Sequence, residues 1–266
     1  MKRIAVFSGL VMGITVFSTI AHGEQPSGKQ IVEASYEATR VVGMEAVMTL
    51  VISDEQGRER VRKVAQATKL YDDGETEKKL IRFIEPADVK GMGFLTFDHE
   101  TGDDDKWLYM PALRKTRRIV SSENAKSFMG SEFSYADITR LNLDDFDFSD
   151  PVTEEVSGVT CYRIDMKPHN EDIEDENGFS LKVVWVGCND SVMRKAEYYD
   201  LDGELLKELT ILKVLEVDTE NHRFKPTDMQ MINKQNGRCS TFTTGKLLFN
   251  PDVKDEFFTS HYLERQ

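Results

Sequence analysis

The stretch Lys106-Trp107-Leu108-Tyr109-Met110-Pro111-Ala112-Leu113-Arg114-Lys115-Thr116-Arg117-Arg118-Ile119 carries the densest recognition chemistry in the chain. Four of the five residues from Arg114 to Arg118 are basic. Guanidinium forks and an ammonium in this arrangement suit phosphate or carboxylate groups, on a lipid head group or on an acidic protein partner. The adjacent Asp103, Asp104, Asp105 and Glu123 offer the same cations ordinary surface pairing, and the spacing leaves both readings open. Aromatic and Met side chains crowd the same region: Phe94, Phe97, Trp107, Tyr109, Met110, Phe128, Met129, Phe133 and Tyr135. Most such residues build core. On the concave side of a curled sheet they also suit an adaptable pocket for acyl chains.

Catalytic groupings are missing by comparison. His99, His169, His222 and His261 stand singly, no HExxH or GxGxxG occurs, and Gly130-Ser131-Glu132 lacks the frame of a nucleophile elbow. Asp172, Glu174, Glu176 and Gly178 resemble a calcium loop only superficially. The glycine is one place late, and Val183 stands where the closing Glu belongs. Glu171 to Asn177 is therefore expected to be a solvated hairpin tip. Neither a metal nor a cofactor is expected, and an envelope hydrolase acting on lipid esters lacks a recognisable nucleophile and base.

The elements that must position these residues follow from periodicity. Ile31, Ala34, Ser35 and Ala38 recur at helical spacing behind Ser27, which predicts a helix over 28–40 with a small-residue stripe facing something apolar. After Gly43 the period becomes two. Segments rich in Val, Ile, Thr, Tyr and Phe alternate with turn chemistry at Asp54 to Gly57, Asp72 to Gly74, Thr101 to Asp103, Asn177-Gly178, Asp200 to Gly203 and Asn236-Gly237. About ten strands fit between residues 44 and 250, and an antiparallel sheet of that size curls into a barrel or splits into a sandwich. Residues 121–141 break the pattern. They are polar and irregular, with Phe128, Met129, Phe133, Tyr135 and Ile138 as apolar teeth, as a short helical or looped cover over an open sheet requires.

Composition narrows the class. The chain has 266 residues, with 47 acidic against 34 basic, and a formal charge of -13 that denies it the basic footprint of a nucleic-acid binder. Lys2 and Arg3, the apolar run from Ile4 to Ile20 and the small residues around Ala21-His22-Gly23 match a secretory signal peptide over 1–23. Its removal takes the charge to -15 and places the mature protein outside the cytoplasm. No later apolar run reaches bilayer-spanning length, so no stable membrane insertion is expected. Cys161, Cys188 and Cys239 are an odd count for an oxidising compartment, which allows one disulfide or none, and their spacing fits no metal site.

Four blocks, KWLYMPALRKTRRI (106–119), SFMGSEFSYADI (127–138), AEYYDLDGELLKEL (196–209) and DEFFTSHYLER (255–265), resemble the outer-membrane lipoprotein-sorting family, the LolA-like group, over nearly all the mature chain. The resemblance implies a periplasmic, non-enzymatic carrier of Gram-negative bacteria. Its fold would be mainly β with covering helices, a strongly curved antiparallel sheet forming a half-open barrel, in a single domain over 24–266. It further implies a hydrophobic cavity for the acyl chains of a lipid or lipoprotein, and an association with exporters of the resistance-nodulation-division (RND) type. The expected lipid-binding residues are the nine aromatic and Met side chains above. Arg114, Lys115, Arg117 and Arg118 are expected to meet a head group or partner, with Arg117 and Arg118 nearest to a cargo-gating arginine. The alternative is an accessory subunit with a filled interior that docks on such a transporter.

Overall fold

A computed structural model describes residues 25–265 except 101 and 103, so the expected signal peptide lies outside the described residues. The first element is helix α1 (Gly28–Thr39). Its start is fixed by a reciprocal cap, in which the Gln30 amide donates to Ser27 Oγ at 3.3 Å and the Ser27 amide to Gln30 Oε1 at 2.9 Å. The buried stripe is Ile31, Val32, Ser35 and Ala38. Val32 thus takes the place expected for Ala34, which is exposed, because the larger apolar side chain gains more from burial. Gly28 makes the close approach possible: a Cβ there would run into the Ser149 carbonyl and come within 2.9 Å of Ile164 Cγ2.

Six strands follow: β1 (Gly43–Ser53), β2 (Glu59–Tyr71), β3 (Thr76–Glu85), β4 (Gly93–His99), β5 (Asp105–Met110) and β6 (Lys115–Arg118). After an irregular stretch holding the short helix α2 (Tyr135–Ile138) come β7 (Phe146–Phe148), β8 (Val152–Val156) and β9 (Val159–Pro168). Helix α3 (Glu171–Asn177) leads to β10 (Leu181–Gly187), β11 (Met193–Tyr199), β12 (Leu205–Asp218), β13 (Arg223–Asn233) and β14 (Cys239–Phe249), and α4 (Ser260–Leu263) closes the chain. The expected hairpin tip at 171–177 is a helix. Asn170 caps its N-terminus by accepting from the Ile173 amide, and Gly178 ends it in the left-handed conformation, so residues that read as a turn are helix caps.

The strands form one antiparallel sheet in the order β6-β5-β4-β3-β2-β1-β14-β13-β12-β11-β10-β9-β7, with β8 following β7 along the same edge of β9. The first and last strands pair with each other in the middle of this order, so two meanders spread outward from the β1–β14 seam. Their outer edges, β6 and β7, do not pair, and the curved sheet stays an open barrel. The chain between those edges, residues 119–145, lies over the opening.

Alternation along each strand sorts side chains onto two faces. On β10, Val184 and Val186 enter the main core under α1, while Val183 and Trp185 pack outward with Cys161 beneath β8. On β4, Phe94 points inward and Leu95 outward. The convex face of β2 to β5 is covered by the C-terminal segment, whose Val253, Phe258 and Leu263 bury Ala67, Leu80, Leu95 and Tyr109. Arg82 ties that segment down by donating to the Tyr262, Leu263 and Arg265 carbonyls. The three cysteines are free thiols, Cys161 in β9, Cys188 in the turn after β10 and Cys239 at the start of β14.

Candidate functional site

The concave face is closed at one end by its cover. Phe128 and Phe133 are almost fully buried, and the Phe128 amide donates to the Phe133 carbonyl at 2.7 Å across a turn in which Met129 and Gly130 both have positive φ. The carbonyls at this turn are held from the sheet, Met129 by Arg62 and Gly130 by Arg238 at 3.3 Å. Phe128 meets Phe94 at 5.4 Å and Tyr135 at 5.8 Å between ring centroids, and Phe133 meets Phe242 at 5.1 Å. Edge-on and tilted contacts of this kind fill the space between β1, β3, β4 and β14.

The other end is left open as a cavity of about 340 Å³ beneath α1. Its apolar wall is unusually rich in Met: Met44, Met48, Met166, Met193 and Met229, with Val184, Val186 and Leu247. Polar and charged groups share the cavity, among them Gln66, Thr68, Glu77, Lys79, Asp98, Asp137, Arg140, Lys182 and Lys225. A mostly apolar chamber of this size with a few fixed polar groups is the ordinary form of a small-ligand site.

The charges are organised around two lysines. Lys79 Nζ lies 3.3 Å from Glu77 Oε1 and 3.4 Å from Asp98 Oδ2, and donates to the Ile138 carbonyl at 2.9 Å. Burial alone would lower the Lys79 pKa, but Asp98 and Glu77 outweigh it and hold the proton on the amine. Glu77 stays ionised below its usual range, since Lys79 and Lys225 overcome its burial. Asp98 is the carboxylate left over. Burial pushes it up to about 6, Lys79 offsets only part of that, and Glu77 and Asp104 add repulsion. Lys207 donates to Asp137 Oδ2 at 2.5 Å, and with Lys182 it keeps that buried carboxyl below its usual range against desolvation. Among the described residues Lys182 has no such partner. It is 9% exposed, its nearest aromatic is Tyr198 with the ring centroid 4.9 Å away, and burial pushes its pKa down to about 8 despite the field of Asp137. Tyr36, beneath Arg140 at 5.0 Å, is pushed up to about 12 by burial.

The residues singled out from sequence fall in several places. Phe94, Phe128, Phe133 and Tyr135 fill the closed end, with Met110 and Met129 packed partly buried against them. Phe97, Trp107 and Tyr109 lie on the convex face under the C-terminal segment, where Phe97 and Trp107 meet at 5.0 Å. None of the nine lines the open cavity. Of the basic island, Arg117 pairs with Glu123 at 2.8 Å and Arg118 with Asp105 at 2.6 Å, while Arg114 and Lys115 are exposed at the β5–β6 turn. The cavity residues Glu77, Lys79, Asp98, Lys182 and Lys225 escaped sequence reading. Their signal was parity: Lys182 is in phase with Val184 and Val186, and Asp98 with Phe94, so each charge sits on an apolar face.

A family model described only as "Uncharacterized protein" matches residues 75–265, most of the chain. The chain belongs to that family. Among solved structures, a domain described as an outer membrane lipoprotein-sorting protein from Vibrio parahaemolyticus is 28% identical, with a TM-score of 0.80 over 90% of this chain and 98% of its own. A DUF1329 family protein from Desulfovibrio piger is 27% identical, with a TM-score of 0.80 over 89% and 97%. A LolA superfamily protein from Nitrosomonas europaea shares the fold at 18% identity, with a TM-score of 0.67 over 90% and 100%. The family member therefore has the LolA-like open barrel expected from its sequence blocks. No curated protein matches it.

Proposed function

We propose that this protein is a periplasmic carrier that shelters the acyl chains of a lipid or lipoprotein on their way toward the outer membrane. The observation that carries the reading is the Met-lined cavity left under α1 when the rest of the concave face is filled. Flexible, polarizable Met side chains fit apolar chains of varied shape without a fixed template. Similarity to a lipoprotein-sorting domain supports the same reading. The signal peptide over 1–23 delivers the chain to that compartment, and the mature region works as a single domain. No covalent chemistry is required. Each acyl methylene buried contributes about 0.8 kcal/mol, so release requires a partner that offers competing contacts or moves α1. Native mass spectrometry of protein taken from a periplasmic extract tests the proposal: co-purifying lipid is expected. Repeated lipid-free preparations that also fail to bind a fluorescent acyl probe would overturn it.

A second reading is favoured by the filled end and the exposed Arg114 and Lys115. In it the chain is an accessory subunit that docks on an RND-type transporter through the β5–β6 turn, with Arg117 and Arg118 alongside. Substituting Arg114→Glu with Lys115→Glu then abolishes transporter pull-down and leaves lipid content intact, whereas the carrier reading alone predicts that both survive.

A further inference from the structure

The cavity carries an imbalance of charge that its own side chains do not resolve. Five cations line it, Arg40, Lys79, Arg140, Lys182 and Lys225, against the three carboxylates Glu77, Asp98 and Asp137, in a chain whose overall charge is strongly negative. Arg40 is matched by Glu37 at 2.9 Å, Lys79 by Glu77 and Asp98, and Asp137 is taken by Lys207. Lys182, Lys225 and Arg140 remain with no carboxylate within 4 Å and no hydrogen bond to the protein among the described residues; Lys182 and Arg140 have only ring contacts, with Tyr198 and Tyr36. A buried ammonium without a counter-charge is costly, and a fold keeps such a group where something else supplies the anion. Lys182 is also placed for the purpose, since it stands on the same inward face of β10 as Val184 and Val186, at the point where the apolar wall meets the charged one.

From this we infer that the occupant is an anionic amphiphile: its chain lies against the Met wall and its carboxylate or phosphate is drawn into the cavity to Lys182, with Lys225 and Arg140 as supporting cations. The inference rests on the carrier reading and sharpens it. A neutral lipid would leave Lys182 and Arg140 without an ion pair and Lys225 with only the field of Glu77, which Lys79 already shares, and a lipid whose head stays in water would gain nothing from Lys182.

The test uses the full mature chain, stripped of lipid and loaded with the neutral fluorophore N-phenyl-1-naphthylamine. Displacement is compared for hexadecanoate, hexadecyl phosphate and hexadecanol, which share one chain and differ in the head. At least one anion is expected to compete about tenfold or more better than the alcohol, as a charge-assisted hydrogen bond in a buried site implies. The stronger of the two identifies carboxylate or phosphate as the natural head. Lys182→Met is expected to bring that ratio to within about twofold, and Lys182→Arg to retain most of it. Lys225→Met provides a second reading of the same ratio should Lys182→Met fail to fold. Equal competition by all three ligands in the wild type, or a ratio unmoved by Lys182→Met or, where that variant does not fold, by Lys225→Met, overturns the inference and leaves the carrier standing. No binding of fluorophore or any ligand removes the carrier reading itself.

Discussion

The two ends of the concave face are built from the same strands and differ in what they contain. On β1, Leu50 and Ile52 are fully buried in the core cluster that holds the phenylalanines of the cover, whereas Met44, Ala46 and Met48 face the cavity. On β3 and β4, Phe83 and Phe94 pack against Phe128, and two or three repeats of the pleat away Glu77, Lys79 and Asp98 form a charged cluster. One end is solved as a protein core, with interlocked rings and few polar atoms. The other is under-filled and carries buried and half-buried charges, of which Lys182, Lys225 and Arg140 have no ion pair among the described residues. On the proposed carrier reading, the difference separates residues kept for stability from residues kept for a ligand, and substitution of an unpaired charge at the open end should act oppositely to loss of a ring at the closed end.

The largest effect belongs to the closed end. Phe128→Ala removes a fully buried ring that contacts Phe83, Phe94 and Tyr135, and should cost about 3 to 5 kcal/mol in urea unfolding. Met48→Ala deletes a side chain that is 9% exposed at the open end and should cost under about 2 kcal/mol, because part of its surroundings is already void. Equal costs would mean that the cavity is as tightly packed as the core.

Lys182→Met should move stability the other way. Its amine titrates near 8 in the fold against 10.5 when unfolded, so at neutral pH the native state holds a charge that it disfavours. A difference of that size corresponds to up to roughly 3 kcal/mol, and replacement by an apolar side chain of similar length recovers part of it. The sign can be checked by pH. Between about pH 8 and 10.5 the unfolded chain binds the extra proton, so wild-type stability rises with pH as this site titrates, and the advantage of the Met variant disappears across the same window. A variant less stable than wild type at pH 7 would show that Lys182 supports the fold instead of waiting for an anion.

The architecture was legible because period-two patterning and turn chemistry are local. Arg163 and Asp165 alternating with Tyr162, Ile164 and Met166 fix the faces of β9 whatever the rest of the chain does. The cover over 121–141 was legible as a break in that pattern. The site was less so, because crowding in sequence hides the parity of a strand. Phe94 and Phe97 are three residues apart on β4 and point to opposite faces, and Trp107 and Tyr109 share the outward face with Phe97. Nothing local reveals that Val253, Phe258 and Leu263 return across more than a hundred residues to cover that face. Lys182 and Lys225, forty-three positions apart, meet one cavity only because β10 and β13 curl around it.

The smallest effects should come from the basic island, and they test whether the cover is held by its rings or by its charges. Arg118 pairs with Asp105 on an exposed strand pair, and truncation to Ala should change stability by less than about 0.5 kcal/mol. Arg117 reaches Glu123, at the start of the cover, whose carboxyl is held below its usual range by hydrogen bonds from Lys126 and then Arg117. Arg117→Ala should therefore cost somewhat more, up to about 1 kcal/mol, and 0.5 M salt should erase most of the difference, since screening at that strength reaches an exposed pair. A loss as large as that of Phe128→Ala, persisting in salt, would instead make the Arg117–Glu123 contact the latch of the cover. The contrast between a core held by aromatic packing and a cavity held open for charge would then need a third, electrostatic region at the β6 edge.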